Sequence, residues 1–263
     1  MPSNQFENRV VIVTGSSAGI GLAIAKAFAE AGANVVINGR NLERLEAAIE
    51  EFGANEKRIL PLRGDAANET DITRIVNITK SHYGKIDVLV NNAATLGVGS
   101  SIAEMPVEVW DEVLNINLRG AFLFCKTVIP HLVAQKSGRI INIGGLSGKN
   151  PLPFAAADAA AKAGLLALTR VLAAELGQHN ITANCVVPGF QPDTKTGGEF
   201  NERLAAAFHA QPESMIAMTQ SRTLSKRFET LEEIAQTVLF LASDAGAAIT
   251  GQNLNVNCGL ATY

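Results

Sequence analysis

The chain has 263 residues, 47% of them hydrophobic and 18% charged, with a formal net charge of −3. That length suits one large domain with ample material for a core. The slight acidity speaks against nucleic acid and an anionic membrane surface as partners, and no run approaches the roughly 18 uninterrupted apolar residues of a spanning helix.

The opening MPSNQFENRVVIVTG has no basic segment followed by an apolar stretch, so no secretory leader is expected. Short β-branched runs then alternate with longer helical patterns. RVVIVTG (9–15) predicts a strand and 19–33 a helix; NVVING (34–39) predicts a strand and 42–53 a helix that stops at a glycine. Strands at 58–65 and 86–94 flank a helix at 69–84, and helical stretches follow around 108–135. Residues 138–145 predict a strand, 155–176 a helix and 181–189 a strand. Segment 190–225 is polar and mixed, without a clear period; 231–244 resumes a helix and 252–259 closes with a short strand.

Strands alternating with helices imply right-handed crossovers and an α/β single domain over 1–263, its parallel sheet covered on both faces. Ligands of such sheets bind beyond the carboxyl ends of the strands. Segment 190–225 leaves the sheet at that edge, so it reads either as a substrate lid or as a plain surface loop. Cys125, Cys185 and Cys258 are scattered, lack metal spacing and read as small apolar residues in a reducing cytoplasm.

TGSSAGIG (14–21) follows a strand and opens a helix, the context of a phosphate-binding turn. Gly15 permits the tight turn, Gly19 lets backbone amides approach a pyrophosphate, and Gly21 allows close helix–sheet packing. Ser16, Ser17 and Ile20 complete this candidate cofactor loop. At the end of the second strand Gly39 leaves room and Arg40 supplies a cation, the arrangement expected for the 2′-phosphate of NADP(H); a solvated arginine is the plainer reading. Asp65, followed by Ala66, either accepts from an adenine amino group or caps the next helix.

TGSSAGIG, Arg40, Asp65, NNAA (91–94), NLRG (117–120), the PG at 188–189 and TGQNLNVNCG (250–259) occur in one order along essentially the whole chain. Together they resemble the short-chain dehydrogenase/reductase family. The resemblance implies a Rossmann-like doubly wound parallel sheet, a nicotinamide cofactor, and a homotetramer built through two helix-rich interfaces and the C-terminal strand. It places Asn92 and Ala93 beside the adenosine ribose, Pro188 and Gly189 at the nicotinamide end, and Asn117 beside a proton-relay water. After PG the family has an aliphatic residue and a threonine at the carboxamide; here Gln191 and Asp193 stand there, with Thr194 one step late.

The family's chemistry rests on that Asn, a Ser after the fifth strand, and a Tyr and Lys spaced Y-x-x-x-K. Lys162 fits the lysine, which also binds the nicotinamide ribose. Asp158 occupies the tyrosine's place and Gly145 the serine's; Ser147 lies two residues off register. The chain's two tyrosines, Tyr83 and Tyr263, lie far from this motif in sequence.

A carboxyl beside an ammonium is favoured in its ionised form, whereas burial favours the neutral form. An ionised Asp158 has no proton to give, and it is shorter than tyrosine by a ring. Loss of a positioned acid lowers a rate by about 10²–10⁴. Three readings follow. One is a reductase whose acceptor, bulky or cationic like an iminium, dispenses with the acid. Another has a neutral Asp158, or a water on Asn117 and Lys162, as the donor. The third is a cofactor-binding homologue without redox chemistry, acting as a sensor or assembly partner.

His82, His131 and His179 read as surface residues, while His209, in the candidate lid, reads either as a substrate contact or as a further surface residue. Phe154, Phe190, Phe208, Met215 and Met218 suit either an apolar mouth or the core. The 155–176 helix is apolar on more than one side, as expected of a symmetric subunit contact.

Overall fold

The computed structural model describes residues 5–263. Its first strand, β1 (Val10–Val13), feeds α1 (Gly19–Glu30) and β2 (Asn34–Gly39). Next come α2 (Leu42–Glu50), β3 (Ile59–Arg63), α3 (Glu69–Tyr83) and β4 (Val88–Asn91). Two helices, α4 (Val107–Leu114) and α5 (Gly120–Gln135), precede β5 (Gly138–Ile143). The chain continues with α6 (Ala156–Leu176), β6 (Ile181–Pro188), α7 (Lys195–Ala207), α8 (Pro212–Arg222), α9 (Leu231–Ala242) and β7 (Asn253–Val256).

All seven strands are parallel, in the order β3-β2-β1-β4-β5-β6-β7. This is the Rossmann-like doubly wound sheet. The chain winds outward from β1 to β3, then returns to place β4 on the other side of β1, which opens a crevice between the strands' carboxyl ends. Register pairs Val13 with Val90 there, so the turn after β1 and the NNAA stretch after β4 lie side by side.

Alternation along each strand builds two cores. Val11, Val13, Val35 and Ile37 face Ile24 and Phe28 of α1 and Ile234 and Val238 of α9. Ile12, Val36, Leu89 and Ile140 face Ile75, Phe124, Val128 and Leu132 on α3 and α5. Both faces are apolar, so each strand reads as a continuous hydrophobic run. The strands are shorter than those runs because Thr14–Gly15, Asn92–Ala94 and Gly144–Gly145 leave the ladder to form loops.

The helical stretches expected around 108–135 are the two helices α4 and α5. A π-helical turn over Asn115–Arg119 separates α4 from α5, with the Gly120 N–H donating to the Asn115 carbonyl. A side chain at Gly120 would strike the Ala66 carbonyl, so the bulge brings this segment hard against the β3 loop.

Segment 190–225 is largely helical, contrary to its aperiodic composition. Thr194 caps α7 by accepting from the Gly197 N–H at 3.0 Å, and Pro212 opens α8 in the position where proline lacks no bond. Leu204, Ala205 and Met215 form a small core of their own. Two short helices, the first with a glycine pair inside it and the second opened by a proline, leave too few turns for a visible period.

Candidate active site

A cleft of about 1090 Å³ runs along the carboxyl edge of the sheet, from the end of β2 to α7 and α8. One end is the glycine turn. Gly15 has φ +61° and a Cβ there would lie 2.7 Å from Ala93 Cα, so a side chain is excluded on both counts. Thr14 Oγ1 accepts from the Asn92 and Ala93 N–H groups at 2.9 and 3.0 Å, while Asn92 Nδ2 donates to the Thr14 and Gly15 carbonyls at 3.0 and 2.9 Å. A side chain at Gly21 would collide with this same Asn92 amide.

The α1 N-terminus carries no side-chain cap and no acid in its first turn. Its leading N–H groups and dipole therefore face the cleft as an anion cradle. Gly15, Ser17, Gly19, Ile20 and Gly21 all line it. Ser16 does not. It is fully buried, donating to the Val13 carbonyl at 2.7 Å and accepting from the Asn38 N–H at 3.0 Å, so it ties β1 to β2 instead.

Beyond the turn, Arg40 is exposed at the cleft's edge, and its guanidinium forms no ion pair among the described residues. Arg44, in the first turn of α2, lines the same corner. It was legible only as an i+4 neighbour of Arg40 and was missed. Asp65 and Ala66 line the cleft on the other side. Asp65 Oδ1 accepts from the Ala67 N–H at 2.9 Å, whereas the cap of α3 is Asn68. These donors and cations fit a dinucleotide bearing a 2′-phosphate.

At the other end stands Asp158, in the first turn of α6 and only 9% exposed. Ser147 Oγ donates to its Oδ2 at 2.6 Å, a charge-assisted length. This hydroxyl, two residues beyond Gly145, reaches the carboxylate because a 3-10 turn over Leu146–Gly148 curls the loop back onto α6. Sequence register alone pointed away from it. Asn117 is buried behind: its Oδ1 accepts from the Thr95 N–H at 2.7 Å, and its Nδ2 donates to the Thr95 carbonyl at 3.0 Å and reaches Asp158 Oδ1 at 3.5 Å.

Lys162 lies one turn along α6, but its ammonium turns to the Ile143 carbonyl at 3.0 Å and comes no nearer than 4.0 Å to any carboxylate. Burial holds it below the usual lysine range, an effect opposed by the charge of Asp158 and by Cys185. Gly145 has extended backbone, and a Cβ there would meet the Lys162 stem at an ordinary 3.4 Å.

Pro188, Gly189 and Gln191 line the wall beside Lys162, and Phe190, Phe200, Phe208, Met215 and Met218 form an apolar mouth. Phe154 packs edge-on against Phe208 at 5.2 Å, behind that mouth. His209 lies off the cleft between two residues that line it. Tyr83 meets His82 edge-on at 4.4 Å, remote from the cleft, and burial pushes its phenol up. Tyr263 is 72% exposed, its carbonyl held by Lys149 at 2.9 Å.

The family model described as Enoyl-(Acyl carrier protein) reductase matches residues 15–261. The chain is 38% identical to the (2S)-[(R)-hydroxy(phenyl)methyl]succinyl-CoA dehydrogenase subunit BbsD of Thauera aromatica, over 97% of this chain and 96% of that one. It is 34% identical to the 3-oxoacyl-[acyl-carrier-protein] reductase FabG of Thermotoga maritima, over 97% and 99% of the two chains. Among solved structures, a tryptophan variant of actinorhodin polyketide ketoreductase with NADPH matches with a TM-score of 0.92 and 32% identity, over 100% of both chains.

Proposed function

The chain belongs to the short-chain dehydrogenase/reductase family, and from that premise we propose that it is an NADP(H)-dependent oxidoreductase acting on a bulky, cationic acceptor of the iminium type. The coenzyme, when bound, supplies a hydride. The uncapped α1 N-terminus and the glycine turn hold its pyrophosphate, and Arg40 and Arg44 take the 2′-phosphate. Asn92 and Ala93 flank the adenosine ribose, Asp65 and Ala66 the adenine. Support for this assignment comes from the cradle's geometry and from NADPH in a ketoreductase of the same fold.

The observation that carries the choice of acceptor is Asp158. It stands in the place of the family's phenol, and Gly145 in that of its serine. Among the described residues Ser147 is the one hydroxyl bonded to it, and that hydroxyl donates to the carboxylate. The pair thus offers negative charge to a bound molecule, not a proton. An iminium carbon that accepts hydride becomes a neutral amine by forming one C–H bond and returning the C=N electron pair to nitrogen. No proton moves. A preorganised charge in a water-poor site supports the cation as it approaches, and removing one group of this kind costs about 10²–10³ in rate. Lys162 holds the ribose, and the residues of α7 and α8 form a lid whose apolar wall receives the substrate's body.

The family's tetramer is supported by exposed Phe122 on α5 and Val171 on α6, both apolar and unpartnered within one chain. No helix among the described residues is long and apolar enough to cross a membrane, in keeping with a cytoplasmic setting.

The test is NADPH consumption by the wild-type chain with a cyclic N-alkyl iminium and with the isosteric ketone. Turnover of the iminium and not the ketone is expected; preferential ketone turnover overturns the reading. A second reading, a coenzyme-binding assembly partner, is favoured by the relative that is itself a dehydrogenase subunit. It predicts NADPH binding with no consumption of either acceptor.

A further inference from the structure

Between α8 and α9, Glu229 is a carboxylic acid that the proposed chemistry leaves unused. It is 5% exposed, and it does not line the cleft. Its Oε1 accepts from the Gly189 N–H at 2.6 Å and from Gln191 Nε2 at 2.7 Å, and its backbone carbonyl accepts from the same amide at 3.0 Å. Its Oε2 is buried and has no partner among the described residues.

Those contacts reach in two directions. Gly189 and Gln191 belong to the loop that follows β6, and that loop lines the cleft. Four strand spacings separate β2, where Arg40 stands, from β6. At about 4.8 Å each they place this loop about 19 Å from the adenosine end. Next, the Gln191 carbonyl accepts from Thr194 N and Oγ1 at 3.2 and 2.9 Å, and Thr194 is the cap of α7. A Cβ on Gly189 would lie 3.0 Å from Glu229 Oε1 and 2.9 Å from Asn257 Cβ. The loop is therefore packed onto the carboxyl with no room for adjustment.

We propose that Glu229 is a positioning residue that sets the Pro188–Thr194 loop, fixing at once the wall at the coenzyme's reactive end and the start of the lid helix α7. This rests on the coenzyme reading above. A bare hydrophobic contact would not serve, because the Gly189 N–H and the Gln191 amide would lose the acceptor that the buried Glu229 provides.

The test is calorimetric titration of the full chain with NADPH and with adenosine 2′,5′-bisphosphate, which has no nicotinamide half. Glu229→Ala should weaken NADPH by roughly tenfold or more and leave the bisphosphate unchanged. Glu229→Gln, which keeps an acceptor in place, should restore NADPH affinity. Gln191→Ala should shift NADPH in the same direction by less, and carries the test alone if Glu229→Ala does not fold. An alanine variant that binds both ligands as the wild type does, or loses both alike, overturns this proposal alone, as does a glutamine variant as weak as the alanine. A wild-type chain that binds neither ligand overturns the coenzyme reading and this proposal with it.

Discussion

Replacing Gly39 and Arg40 at the end of β2 should invert the coenzyme preference. Arg40 is exposed at the cleft's edge and faces no acid among the described residues, so its charge is available to a 2′-phosphate and is also screened by water. A hydrogen bond to a charged group contributes about 1.5–3 kcal/mol. With solvent discounting the upper half of that range, Arg40→Ala should weaken NADPH by about 10- to 30-fold. NADH has no 2′-phosphate and should be unaffected. Arg44 keeps part of the NADPH affinity in the single variant. Adding Gly39→Asp places an acid where NAD enzymes hold the ribose 2′-hydroxyl. The site admits it once the Ser17 hydroxyl shifts by a few tenths of an ångström: a Cβ at Gly39 would meet Ser17 Oγ at a tight 3.3 Å and Leu45 Cδ2 at an ordinary 3.5 Å, and the backbone there is not left-handed. The assay is quenching of protein fluorescence by NADPH and NADH at low and moderate salt. The double variant should prefer NADH, and the wild-type preference for NADPH should shrink as salt rises. If Arg40→Ala leaves NADPH affinity unchanged, or weakens both coenzymes equally, the assignment of this corner to the phosphate is wrong.

Two further predictions follow from the reactive end and from the buried acid. Gly145→Ser with Asp158→Tyr should confer ketone reduction, since a side chain at 145 meets the Lys162 stem at an ordinary distance; a steady-state assay that finds the double variant inert with ketones would show that the rest of the site differs too. Burial, reinforced by the charge of Glu233 and opposed by the hydrogen bonds from Gln191 and Gly189, raises the Glu229 carboxyl above its ordinary range; Arg227 and Cys258 are its other charged or titratable neighbours. The folded state therefore keeps a proton that the unfolded state has lost, and stability falls as pH rises from the ordinary carboxylate value through the raised one. Glu229→Gln should remove that slope in thermal melts from pH 4 to pH 8, so a slope identical in both proteins would refute the cause given.

Much of the fold was legible because alternating strands and helices of sufficient length leave few topologies. The glycine turn was legible for a related reason: Gly15 and Gly21 sit where only a missing Cβ lets the β1 and β4 loops touch. Ser16 was not, because a hydroxyl in a loop motif gives no sign of whether it faces ligand or, as here, an adjacent strand. Ser147 was hidden by the curl of a three-residue turn that changes which side chain meets Asp158. Proximity in sequence also overstated the Asp158–Lys162 pair. Four residues on a helix bring the two side chains to one face, yet the buried ammonium finds a backbone carbonyl on β5 instead. Glu229 carried no sequence signal at all, since it lies 40 residues from the glycine it supports.

On the function proposed above, the reactive end offers its substrate the Asp158 carboxylate and not a proton donor. Single-turnover decay of NADPH fluorescence with a cyclic iminium, in wild type and in Asp158→Asn, tests it most directly. Hydride transfer should slow by about 10²–10³ in the variant, with NADPH affinity unchanged. An equal rate in both proteins, or an isosteric ketone reduced as fast as the iminium, would contradict it.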